Sequence, residues 1–174
     1  LIILNVLFFI IALFIVSFYG DKFFTENLAL TPSLIFSGEN LWTLITSMFI
    51  HLAPFHIFAN MFSLFFIGNF LERLVGKKRF FWLYILSGIF GGIFFVLSGL
   101  IFKNDLSGIG ASGAIFGLLG VLTILVPYSK ISLITGPLFV IIAEVILIPF
   151  LPENLASFFS IIFNILIFIM LFAI

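Results

Sequence analysis

Runs of about 20 apolar residues recur along the chain, each long enough to cross the hydrocarbon core of a bilayer as a helix. Six stretches qualify: residues 2–18, 46–70, 81–101, 108–126, 131–151 and 154–174. The breaks between them are polar or kinked: Gly20-Asp21-Lys22, Glu72 to Arg79, Lys103-Asn104-Asp105, Pro127-Tyr128-Ser129-Lys130 and Pro152-Glu153. The expected fold is all-α, a polytopic six-transmembrane-helix bundle forming a single domain over 1–174. No internal repeat or low-complexity tract competes with that reading.

Composition excludes a soluble domain. The chain is 64% hydrophobic and 8% charged, and seven basic and seven acidic residues cannot cover a water-facing surface. The 28 phenylalanines need lipid or a lipid-bounded core. A net charge of zero without a long basic tract argues against nucleic acid. The absence of cysteine removes disulfides, thiolate metal sites and cysteine nucleophiles. His51 and His56, five apart, would point in different directions on a continuous helix and suit one metal poorly, so we expect no metal and no cofactor.

Basic residues set the expected orientation. Arg73, Lys77, Lys78, Arg79 and Lys130 fall in the second and fourth loops, against Lys22 and Lys103 in the others. Both termini are therefore expected in the cytoplasm of a multi-pass protein of the cell membrane. Tyr19, Trp42, Trp82, Tyr84 and Tyr128 lie near helix ends, where interfacial aromatics belong. The first loop, from about Tyr19 to Ile45, is long for such a bundle, and either a functional element or a plain connector accounts for it. A chain that opens on Leu1 and closes inside an apolar run reads as trimmed at its ends. Without a basic segment ahead of the first run, a cleaved signal peptide is not expected.

Three polar positions inside apolar helices bear on chemistry. Gly110-Ala111-Ser112-Gly113 opens the fourth apolar run with a serine among glycines. Close packing explains Gly110, Gly113, Gly117 and Gly120, as it explains Gly88, Gly91 and Gly92 in the third run. It accounts less well for Ser112. His56 and Asn60 are four apart on the second helix and share a face, which must point into the bundle or a wet cavity. Both side chains can donate to a developing oxyanion. Entering from the same side, His56 at about one to two turns and Ser112 at about one turn of depth are expected to share one outward-facing pocket.

At this point the sequence resembles the rhomboid family of intramembrane serine proteases. The resemblance rests on Gly110-Ala111-Ser112-Gly113 together with His56-Ile57-Phe58-Ala59-Asn60, with support from His51, Trp42, Glu72-Arg73 and Gly76. Thr43 stands where that family usually has arginine. The resemblance implies that Ser112 is the nucleophile, and that its N–H with His56 and Asn60 forms the oxyanion hole. It also implies that Phe116 packs against the histidine and that the fifth helix gates the entry of substrate. The implied partners are transmembrane helices of other membrane proteins, met within the lipid bilayer.

One part of the family's pattern is altered. Rhomboids take their base, a histidine, from the sixth helix, in a motif of asparagine, any residue, alanine and histidine followed by spaced glycines. The matching stretch here is Asn154-Leu155-Ala156-Ser157, with Ser160 and Asn164 at the glycine positions. Ser157 cannot take a proton near neutral pH, and loss of the base costs a soluble serine protease about a millionfold in turnover. Glu144, within the fifth run and about 10 Å below the outer surface by helical rise, reads as a protonated acid bonded to a neighbouring helix or as a helper in catalysis. His56 as base would leave the oxyanion hole, a trade rather than a replacement. The expected functions are a serine-type intramembrane endopeptidase scaffold without its usual base, or a proteolytically silent relative that binds or escorts transmembrane helices. A small transporter would rest only on Asn60, Glu144 and Asn164, without the repeats usual for that class.

Overall fold

The structure, a computed structural model, describes residues 1–126, 155–156 and 158–162. Two compact units divide the chain, Leu1–Leu118 and Leu119–Ile174. The expected fifth and sixth spans lie almost wholly outside the described residues. Glu144, Asn154, Ser157 and Asn164 lie outside them as well.

Helices dominate what is described: α1 (Ile2–Asn27), α2 (Pro32–Phe36), α3 (Thr43–Thr46), a 3-10 turn (Ser47–Phe49), α4 (Pro54–Val75), α5 (Lys77–Phe102) and α6 (Ser112–Leu125). Among the described residues the only β-type pairing is an isolated antiparallel bridge, Leu30 to Gly108. Among the described residues three helices, α1, α4 and α5, are long and apolar enough to cross a membrane. Their outer faces carry Phe14, Phe18, Phe58, Phe62, Phe66, Phe90 and Phe94, all largely exposed. Apolar area on this scale calls for lipid rather than water.

Several boundaries differ from the sequence expectation, each for a local reason. The first helix does not stop near Phe18. It breaks at Gly20, whose backbone (φ 81, ψ 168) is closed to other residues, and then resumes to Asn27. The second long helix starts at Pro54 rather than Thr46. Proline suits the first helical turn and holds the preceding residue extended, and Ala53 sits at φ −98, ψ 132. The polar turn expected from Glu72 to Arg79 shrinks to Gly76 (φ 83), which ends α4 and directly precedes α5. The fourth expected run begins its helix at Ser112, because Gly110 at φ 114 cannot be helical.

The first unit packs around α5. Helices α2, α3 and α4 lie against it, while α1 lies against α4 and the 3-10 turn. Tyr84 of α5 is fully buried, its ring tilted against that of Phe49 at 5.8 Å, and its hydroxyl reaches the Met48 carbonyl and the Asn5 amide. Glycines bring α5 close to the start of α6. A Cβ at Gly91 would stand 3.0 Å from the Gly113 Cα, and one at Gly117 would overlap Ser87. The long first loop folds onto the segment that leads into α6. Leu30 and Gly108 exchange backbone hydrogen bonds of 2.9 and 2.8 Å. Thr31 and Ser107 share a hydroxyl contact of 2.7 Å, and Asp105 accepts from both the N–H and the hydroxyl of Ser33.

Candidate active site

Ser112 is the first residue of α6 and is half-buried, with Ala111 before it and Ala114 after it fully enclosed. The first-turn N–H groups of a helix have no intrahelical acceptor, so the backbone here presents donors beside the hydroxyl. The turn that delivers Ser112 is fixed from two sides. The Gly110 N–H donates to the Ser47 carbonyl at 2.9 Å, and the Ala111 N–H donates to His51 Nε2 at 3.3 Å.

His56 stands in the first turn of α4 and Asn60 one turn further, on the face turned inward, where Asn60 is buried. This confirms their shared face. Both lie nearer the helix start than a helix begun at Thr46 would have set them, because α4 opens only at Pro54. The His56 ring presses against Gly110: a Cβ there would fall 2.7 Å from both its Cε1 and Nε2, and 3.6 Å from Asn60 Nδ2. Glycine at 110 is thus required twice, by its positive φ and by the ring beside it. Gly113 serves the approach of α6 to α5 at Gly91. Phe116 lies one turn beyond Ser112 on the same helix.

His51 joins this cluster, which its sequence spacing did not foretell. It is fully buried in the irregular segment between the 3-10 turn and α4, and its ring centre lies 5.0 Å from that of His56. The divergence expected of two histidines five apart on one helix fails because they do not share a helix. Asn60 Nδ2 donates to His51 Nε2 at 3.1 Å and to the His56 carbonyl at 3.1 Å. Burial, reinforced by the neighbouring His56, pushes the His51 imidazole down to about 4, against a smaller opposing influence of the Phe49 backbone. A neutral ring leaves Nε2 able to accept. The signal available in the sequence was Pro54, which forbids one helix from carrying both rings.

The chain is thus a polytopic helical membrane protein in which a serine at a helix start is joined, through the glycine turn before it, to two histidines and an asparagine. A family profile described as the Rhomboid domain matches residues 38–174, and the chain belongs to the rhomboid family. It is 46% identical over 92 residues to RHOMBOID-like protein 1 of Arabidopsis thaliana, covering 53% of this chain and 23% of that protein. It is 37% identical over 117 residues to Rhomboid protease GluP of Bacillus subtilis, covering 65% of this chain and 22% of that one. Inactive RHOMBOID-like protein 8 of Arabidopsis thaliana is 37% identical over 83 residues, covering 48% of this chain and 22% of its own length. The matched stretch spans less than a quarter of each of these relatives.

Proposed function

We propose that this chain is a serine-type intramembrane endopeptidase, with Ser112 as nucleophile and the Ser112 N–H, His56 and Asn60 as oxyanion donors. The observation that carries the reading is the assembly around Gly110-Ala111: His56 against Gly110, and Asn60 and Ala111 both held by His51, immediately before the serine. In the reaction the Ser112 Oγ bonds to the carbonyl carbon of a peptide in or near a transmembrane helix. Its proton passes to Glu144, or to His56 at the cost of one oxyanion donor, because Ser157 cannot take it, and the carbonyl oxygen becomes the oxyanion that the donors meet. The scaffold is a six-helix bundle in the cell membrane with both termini cytoplasmic, the fifth helix admitting substrate helices from the bilayer. Phe116 packs on the site histidine.

A second reading is a proteolytically silent relative that binds or escorts transmembrane helices. It is favoured by the histidine inventory: the sequence has two, and both belong to the cluster that orients the oxyanion donors. Ser157 stands at the position of the family's base, and one relative is named as inactive.

Cleavage of a transmembrane substrate in proteoliposomes separates the two. The peptidase reading expects cleavage that disappears in Ser112→Ala. Silence from the unsubstituted chain with cleavage by Ser157→His would identify a scaffold lacking only its base. Silence from both, with substrate retained independently of Ser112, would favour the binding role.

A further inference from the structure

We infer that His51 is a positioning residue of the Ser112 site, holding the Asn60 amide and, through the Ala111 N–H, the turn before Ser112 in the orientation from which the oxyanion donors are presented. The inference rests on the peptidase reading above and extends it to a residue that touches neither substrate nor the reacting atoms.

Three observations carry it. The Ala111 N–H can only donate, so the His51 Nε2 it meets at 3.3 Å must be unprotonated. That lone pair then decides which end of Asn60 faces it. A carboxamide has a carbonyl end and an amino end, and only the amino end can face an acceptor. Asn60 Nδ2 does so at 3.1 Å. The same nitrogen donates to the His56 carbonyl at 3.1 Å, so both of its protons are directed while the site is at rest. One imidazole therefore fixes the amide of α4 and the turn before α6 together.

The arrangement is pre-organised rather than closed. A developing oxyanion is charged, and a charged acceptor binds an N–H roughly twice as strongly as a neutral one. Without His51, Asn60 would keep only its bond to the His56 carbonyl and lose the second restraint on its amide, and the buried Ala111 N–H would lose its acceptor. With Nε2 as the acceptor, the ring proton of His51 sits on Nδ1, on the side of the Phe49 backbone, and Nε2 is the edge that meets Asn60 and Ala111.

The test uses the whole chain in bicelles, with 15N-labelled histidine and asparagine, and the variants His51→Leu and His51→Gln. Glutamine places an acceptor oxygen near the position of Nε2; leucine places none. The inference expects the His51 Nε2 resonance of an unprotonated acceptor, and Asn60 side-chain amide signals that shift in His51→Leu and stay near their original positions in His51→Gln. It expects a fluorophosphonate probe to label Ser112 about tenfold or more slowly in His51→Leu, the scale set by outer partners of reacting groups, with glutamine restoring the rate. Equal unfolding temperatures for the two variants would exclude a general loss of fold as the cause. A protonated Nε2, unmoved Asn60 signals in His51→Leu, or labelling equally fast in both variants would overturn the inference. If Ser112 of the unsubstituted chain does not react, the peptidase reading fails, and the Asn60 signals still decide the role of His51.

Discussion

The Ala111 N–H donates to His51 Nε2 across sixty residues of chain, at 3.3 Å. This bond ties the turn before Ser112 to the segment that leads into α4.

Gly110→Ala is expected to damage the site and the fold together. The new Cβ would have to occupy a backbone at φ 114 and the space held by the His56 ring. Overpacking of this kind costs about 1–3 kcal/mol. Thermal unfolding in detergent should show the loss, and Ser112 labelling should fall with it. Gly120→Ala, where a Cβ meets none of the described residues within 4 Å, should leave unfolding unchanged or slightly improved.

What could be read in advance follows the range of the forces involved. The spans, the serine among glycines and the His56–Asn60 pair come from local apolar runs and helical spacing, and the structure places the pair and Gly110 together. His51 was legible only as a family feature. Its place depends on Pro54 breaking a run that periodicity alone reads as continuous from Thr46. The pairing of Leu30 with Gly108 was not legible at all, because contacts between two loops leave no period in either. Hydropathy also marks Gly20 as an end, whereas one positive-φ residue only kinks the helix.

Gly117→Ala is expected to destabilise the chain by about 1–3 kcal/mol, because the added methyl overlaps Ser87. Ser87→Gly in the same background should recover most of that loss. A double-mutant cycle on unfolding free energy would show the coupling, and additive effects would mean that these two positions do not oppose each other.

Asp105 accepts from the Ser33 N–H at 2.8 Å and its hydroxyl at 2.6 Å, fastening the first loop to the strand-like segment before α6. The contact is exposed, so Asp105→Ala should cost only about 1 kcal/mol. The local effect should be clearer than the global one. Hydrogen exchange at the Leu30 and Gly108 amides, which bond each other's carbonyls, should accelerate while the α4 amides keep their protection.

Acid should weaken the fold through His51. Its folded value is pushed from the ordinary 6.5 down to about 4, so the unfolded chain takes up the proton first as pH falls. The contribution is fully present above 6.5, declines progressively below it, and is gone once pH has passed about 4. His51→Gln should flatten stability across that window. An unchanged slope would assign the acid sensitivity to other groups.

The proposed function makes Ser112 a reactive nucleophile beside oriented donors. Its most direct measurement is mass-spectrometric localisation of a fluorophosphonate adduct on the purified chain in lipid. An adduct is expected on Ser112, absent in Ser112→Ala and strongly reduced in Asn60→Ala. An adduct elsewhere, or labelling of Ser112→Ala equal to that of the unsubstituted chain, would contradict it.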